Sequence, residues 1–480
     1  MALPERRAGG VRQEMPEPLV ALLATGRSTF VQAAGRAGND GARKTLVALG
    51  ARIEGPTELI EFADQVAAGF PNPGAALNIL LCATFADASV ALAAFAGATG
   101  PVVLWALRDP APSGERLYIN SLCGANLAAH ALVAKGVQVH LLYGNPDEPR
   151  VRAWLQRALE GHLPAPAGAF PARGKAAGQA DVDSALASLR GQVIGVVGGV
   201  PTGFTTCEYE PAWLRSRLGL ETRTMALDDA FAMISAVPTE ARAAEVAAAT
   251  AISPSLGSLP ADEVDRFGAV ATALRGWAQA ERLAGLALRC WPEFPLEYGV
   301  CPCSALGRLA SGGIATACEA DVNGAATMLV MGALDPDHGL TYLADVVRID
   351  EEADTATFWH CGLAPVELAA DPAGARQDLH CNRGIGVAGN FPLRTGRVTI
   401  ARISRSREGY RMLLAGGEAL PGPNRFKGNS VDVAIDGGAA KFVTALVERG
   451  FEHHTVLAWT ELRPQLRRAA ISLGLELVEP

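Results

Sequence analysis

The strongest constraint on the fold is a rhythm in the chain. Short strand-like runs, largely apolar, at residues 77–83, 102–105 and 137–143, alternate with stretches of helical period between residues 45 and 162. Such runs suit strands buried on both faces, and strand–helix alternation builds a parallel sheet with helices on either side. Residues 163–180 break the rhythm, being rich in Pro, Ala and Gly with no apolar period, which marks a linker. The rhythm restarts at residues 192–198 and runs into an Ala-rich stretch, residues 238–288, long enough for two or three helices. After about Ala333 the character changes to short β-rich runs, at residues 355–360, 397–402 and 410–414, parted by Gly and Pro turns. The class is therefore α/β, with an N-terminal doubly wound domain over residues 1–172, a second α/β domain over 173–335, and a β-rich, barrel-like domain over 336–480. A chain of 480 residues needs such a division, because single cores stop growing near about 250–300 residues.

Composition removes several function classes. The net charge is −8 and no dense Lys/Arg run is present, so nucleic acid is not an expected partner. The first eighteen residues lack the apolar stretch of a secretory signal. Residues 88–107 carry no charge, yet Gly97, Gly100 and Pro101 divide them into a small-residue helix and a strand, so no membrane span is expected. An odd count of nine cysteines points to reduced thiols and a cytoplasmic location. The gap in Cys301-Pro-Cys303 is too short for a zinc knuckle, which leaves buried structural thiols. The glycines of Gly198-Gly-Val-Pro-Thr-Gly203 match neither phosphate-loop spacing, so this is read as a strand-to-helix turn.

Chemistry concentrates in the last third. In Thr316-Ala-Cys-Glu-Ala-Asp-Val-Asn-Gly324 two carboxylates sit between an apolar strand and an apolar helix, where charges need partners. Asp321 is placed to cap the helix, and Glu319, at the strand end, is the better catalytic candidate. Asp345 interrupts the apolar run Leu340 to Val347, as a functional carboxylate or as a salt-bridge partner of Arg348. His360 lies in Phe358-Trp-His-Cys-Gly362. His453 and His454 open the strand Val456-Leu-Ala-Trp459, and alternation along a strand leaves only one of the pair facing inward. Two carboxylates with one or two imidazoles make a mixed oxygen and nitrogen site suited to Mn²⁺ or another divalent cation. Phe358 and Trp359 are read as core or as the apolar floor of a site. Arg383, Asn390, Arg425 and Lys427 are loop charges or ligand contacts.

Glu319-Ala-Asp-Val-Asn-Gly324, Ala344-Asp345, Trp359-His-Cys-Gly362 and His453-His454 resemble, in order and approximate spacing, the C-terminal half of the L-fucose and L-arabinose isomerase family. The likeness covers roughly residue 290 to the C-terminus. Upstream it rests on the domain pattern and on Ser121-Leu-Cys-Gly-Ala-Asn126. The resemblance implies two flavodoxin-like domains followed by a β-rich domain. It further implies a homo-oligomer, a hexamer or a trimer, whose site is completed by the first domain of a neighbouring chain. It makes Glu319 and Asp345 acid/base carboxylates that also bind the metal, with His454 favoured over His453 as a ligand and His360 as a further one. The chain is shorter than typical fucose isomerases and has Asp345 where arabinose isomerases have Glu, which places it in a separate branch.

The expected activity is aldose–ketose isomerisation of a small sugar through a cis-enediol. An epimerase or carbon-transfer enzyme on a modified sugar is the near rival, and a non-catalytic sugar-binding protein the distant one.

Overall fold

A computed structural model describes residues 17–168, 170–171 and 174–480. The expected boundary between residues 172 and 173 and the reading of the first sixteen residues lie outside the described residues. The first sheet is wholly parallel, in the order β2 (Arg52–Glu54), β1 (Leu19–Thr25), β3 (Leu77–Cys82), β4 (Val102–Ala106), β5 (Val139–Tyr143). This is the doubly wound order 2-1-3-4-5 of flavodoxin-like folds. Every residue of β3 and β4 is buried, which is why they read as largely apolar runs. The uncharged stretch 88–107 resolves into the helix Ala88–Phe95, capped by Asp87 through the Ser89 amide, followed by β4. No helix among the described residues is long and apolar enough to cross a membrane.

A second parallel sheet repeats the order with one strand fewer: β7 (Glu221–Met225), β6 (Val193–Val197), β8 (Leu283–Leu288), β9 (Ala315–Cys318). The Ala-rich stretch holds the helices Thr239–Ile252 and Ala261–Ala280. Its end, expected to be helical, is β8 instead. Leu-Ala-Gly-Leu-Ala-Leu is too short and apolar for periodicity to separate strand from helix.

The remaining strands are β10 (Thr341–Asp350), β11 (Thr355–His360), β12 (Arg376–Asp378), β13 (Ala388–Pro392), β14 (Gly396–Ser406), β15 (Gly409–Ala419), β16 (Asn429–Ile435), β17 (His454–Ala458) and β18 (Glu476–Val478). Because β16 pairs with both β11 and β15, the strands β16-β11-β10-β17-β14-β15 close on themselves as an antiparallel barrel. Closure removes the edges that an open sheet of this size would expose.

The segment between the two α/β domains does not hang free where it is described. The Glu479 amide donates to the Phe170 carbonyl at 3.1 Å, and the Ala177 amide to the Pro464 carbonyl at 2.8 Å. Arg467 and Arg468 donate to the carbonyls of Lys175 and Ala177, each at 3.2 Å. The chain's end thus clasps the connection between the first two domains.

Candidate active site

Glu319 directly follows β9. It and Ala320 both take left-handed backbone conformations, with φ of 57° and 56°, which L-residues adopt at a cost and which gather at functional sites. This double turn feeds the chain into the helix Val322–Leu334, whose N-cap is Asp321. Asp345 sits in β10, where the register pairs it with His454 of β17 on one side and Trp359 of β11 on the other. Directly opposed residues of adjacent strands place their side chains together.

His454 is the hub. Its Nε2 lies 3.7 Å from Glu319 Oε2 and 3.7 Å from Asp345 Oδ1, while its Nδ1 lies 3.0 Å from Asp321 Oδ2. A carboxylate on Nδ1 keeps the proton there and turns the Nε2 lone pair toward the other two carboxylates. Three of the ligand-type clusters among the described residues share His454. Asp321 caps its helix through the Gly324 amide at 2.9 Å, as expected. It has a second partner that the sequence did not reveal. Arg402, fully buried, donates to both its oxygens at 2.5 and 2.8 Å. Burial opposes the charged form, but Arg402 and His454 hold the Asp321 carboxyl far below the usual carboxylate range.

His453 also turns inward, contrary to the alternation argument. It lies one residue before β17 begins, so strand alternation does not govern it. Its Nε2 donates to Glu319 Oε2 at 3.0 Å, and Phe204 packs edge-on against its ring. Burial would raise the Glu319 carboxyl, yet the His453 hydrogen bond and the neighbouring imidazoles hold it at about 2. His360 forms one of the ligand-type clusters with Cys318 and His454, and both its nitrogens have other neighbours as well. Its Nδ1 accepts from the Cys361 amide at 2.8 Å, and its Nε2 faces Cys318 Sγ at 2.9 Å. Burial, reinforced by His454, keeps its pKa at about 3. A neutral ring that accepts at Nδ1 carries its proton on Nε2 and has no lone pair left for an ion.

Asp345 Oδ1 is buried without a hydrogen-bond partner, and the Cys123 thiol also neighbours this carboxyl. Asp345 does not pair with Arg348, which bonds Asp350 at 2.6 Å instead. Burial pushes the Asp345 carboxyl up to about 7, with His454 opposing and Glu319 adding to the rise. A carboxyl whose folded pKa is raised contributes stability that is fully present below about pH 4 and is lost as the pH climbs through about 7. The metal-free protein is therefore expected to lose urea resistance across that window, and Asp345→Asn to flatten the slope. Parallel pH profiles for the two proteins would refute this.

These groups face a cavity of about 110 Å³ that opens to solvent. Glu319, Asp345, His360 and His453 line it. Phe85 and Asn120 from the first domain of the same chain line it too, so this wall is present within one subunit. Phe358 is wholly core, whereas Trp359, its indole donating to the Lys427 carbonyl at 2.8 Å, also reaches the cavity. Of the four loop residues singled out from the sequence, Arg383 alone is a lining residue. Arg425 pairs with Asp432, and Asn390 bonds Asp378. Cys301 and Cys303 are buried, with Cys303 Sγ 3.6 Å from Cys361 Sγ.

Comparison with known proteins gives a consistent set of relatives. The chain is 33% identical to the sulfoquinovose isomerase of Alkalicoccus urumqiensis over 396 residues, 82% of this chain and 84% of that one. It is 33% identical to the sulfoquinovose isomerase of Priestia megaterium over 394 residues, 82% of this chain and 83% of the other. With the sulfoquinovose isomerase of Clostridium sp. MSTE9 the identity is 31% over 471 residues, 96% and 99% of the two chains. No protein-family model matches.

Proposed function

The chain belongs to the sulfoquinovose isomerase family and is an aldose–ketose isomerase, and on that premise we propose that it uses a divalent metal ion and acts on a sulfonated hexose. Family membership favours isomerisation over the epimerase, carbon-transfer and binding-protein readings. The observation that carries the metal is the pair of 3.7 Å distances from His454 Nε2 to Glu319 and Asp345, one of whose oxygens is buried and unpartnered. Two carboxylate oxygens and one imidazole nitrogen suit Mn²⁺ or a similar ion. His360 is left out of this ligand set because both its nitrogens are engaged.

Held by Glu319, Asp345 and His454, the ion would polarise O1 and O2 of an open-chain sugar and acidify the proton on C2. Glu319 and Asp345 flank that position, where one takes the C2 proton to give the cis-enediol and a carboxyl returns a proton to C1. His453 fixes the Glu319 carboxylate from one side. Asp321, locked by Arg402, sets the His454 tautomer. Phe85 and Phe204 wall off that end of the cavity from water.

Elemental analysis of purified protein tests the reading. About one divalent ion per chain is expected in the wild type, and His454→Ala is expected to lose it while remaining folded. A wild-type chain that folds but takes up no divalent ion, even in excess, would overturn the metal assignment. Turnover in deuterated water should place one solvent deuterium on the C1–C2 unit.

A further inference from the structure

The cavity carries positive charge that the isomerisation does not use. Arg27, just beyond the carboxyl end of β1, and Arg383, in the loop after β12, both line it. Their guanidinium carbons lie 5.0 and 3.7 Å from the centre of the Trp291 ring, which itself follows the carboxyl end of β8. Arg27 Nη1 is buried with no hydrogen-bond partner. Arg383 forms no ion pair among the described residues, and neither arginine pairs with Glu319 or Asp345 although all four border the same space. Two like charges on one indole, one with an orphaned buried donor, leave a gap that an anion fills.

The scaffold holds them there. The Arg383 and Gly384 amides donate to the His380 carbonyl at 3.2 and 2.8 Å. Arg116 reaches across from the first domain to Asn382 Oδ1 at 3.3 Å. At Gly386, with φ of 69°, a side chain would run into the Cys301 backbone, so the loop lies tight against the segment that carries Trp291. Burial, and the like charge of Arg27, lower the Arg383 pKa from its ordinary value, consistent with a pair awaiting a counterion.

Resting on the isomerase reading above, we infer that Arg27 and Arg383, stacked on Trp291, are the subsite for the sulfonate at the sugar's far end, and that they select a monoanionic tetrahedral group. Charge decides between sulfonate and phosphate. Asp87 lies 3.5 Å from Arg27, so two positive charges and one negative leave a net of one. A sulfonate balances that, while a phosphate dianion keeps one charge uncompensated in a partly buried site. Guanidinium forks match the oxygens of such a group in a way a lysine does not.

The test is titration calorimetry of the metal-loaded protein with sulfoquinovose, glucose 6-phosphate and glucose, alongside turnover of each, for the wild type, Arg27→Met, Arg383→Met and Arg383→Lys. The wild type should bind sulfoquinovose ahead of both other sugars. Each Met variant should weaken sulfoquinovose binding by about 10- to 150-fold, the usual worth of a charged hydrogen bond, with the loss appearing in KM rather than kcat. Arg383→Lys should recover part of it. Met variants that turn over sulfoquinovose with unchanged Kd would overturn the subsite and leave the isomerase reading intact. Arginine-dependent binding without turnover of any sugar would do the reverse. Glucose 6-phosphate binding as tightly as sulfoquinovose would overturn the monoanion selection, and a wild type that binds no sugar would overturn the subsite.

Discussion

Glu319→Gln is expected to give a folded protein whose kcat is lower by about 10²- to 10⁴-fold, the worth of a positioned acid/base group. The substitution is isosteric, and the amide oxygen can still accept the His453 hydrogen bond that the carboxylate accepts at 3.0 Å. The left-handed turn at residues 319 and 320 is a backbone feature that glutamine tolerates as glutamate does. What is lost is the charge facing His454 Nε2 and the ability to carry a proton. Steady-state rates and circular dichroism on the same sample decide the matter. Near wild-type turnover with unchanged metal content would remove Glu319 from the mechanism.

Arg402→Met carries the largest expected stability loss. It takes the fully buried cation that holds Asp321 by two hydrogen bonds and lies 3.6 Å from Glu452. Removing one member of a buried ion pair strands the others, at a cost of about 3–5 kcal/mol. The urea midpoint should fall accordingly. Because Asp321 orients His454, metal affinity should weaken by about 10- to 100-fold as well. Adding Asp321→Asn to Arg402→Met removes the stranded charge and should restore part of the stability. An Arg402→Met protein as resistant to urea as the wild type would show that the buried charges find other compensation.

The parts that were legible in the sequence are those that interrupt a pattern. Glu319 and Asp345 stand out because charges break apolar runs, and the histidine pair because it opens one. The α/β rhythm gave the two parallel sheets for the same reason, since buried strands leave no polar alternation to hide in. Arg402 was invisible because it ends an ordinary-looking strand run, Arg397-Val-Thr-Ile-Ala-Arg402, while the carboxylate that explains its burial lies 81 positions away. Arg27 and Trp291 meet only through packing of the first two domains. The second inward histidine was misread because alternation was assumed where a strand had not begun, whereas Asp345 was left open between a functional role and a pairing with Arg348, which bonds Asp350 instead.

The clasp on the interdomain segment bears on how the protein is made. Arg467, which grips the Lys175 carbonyl, stands 292 positions later in the chain. Both α/β domains have therefore left the ribosome, and can have folded as units, before the residues that tie them together exist. The docking of the helix Arg463–Leu473 onto the segment thus follows the synthesis of both α/β domains. The cavity, whose walls come from all three domains, has no finished form until they are complete.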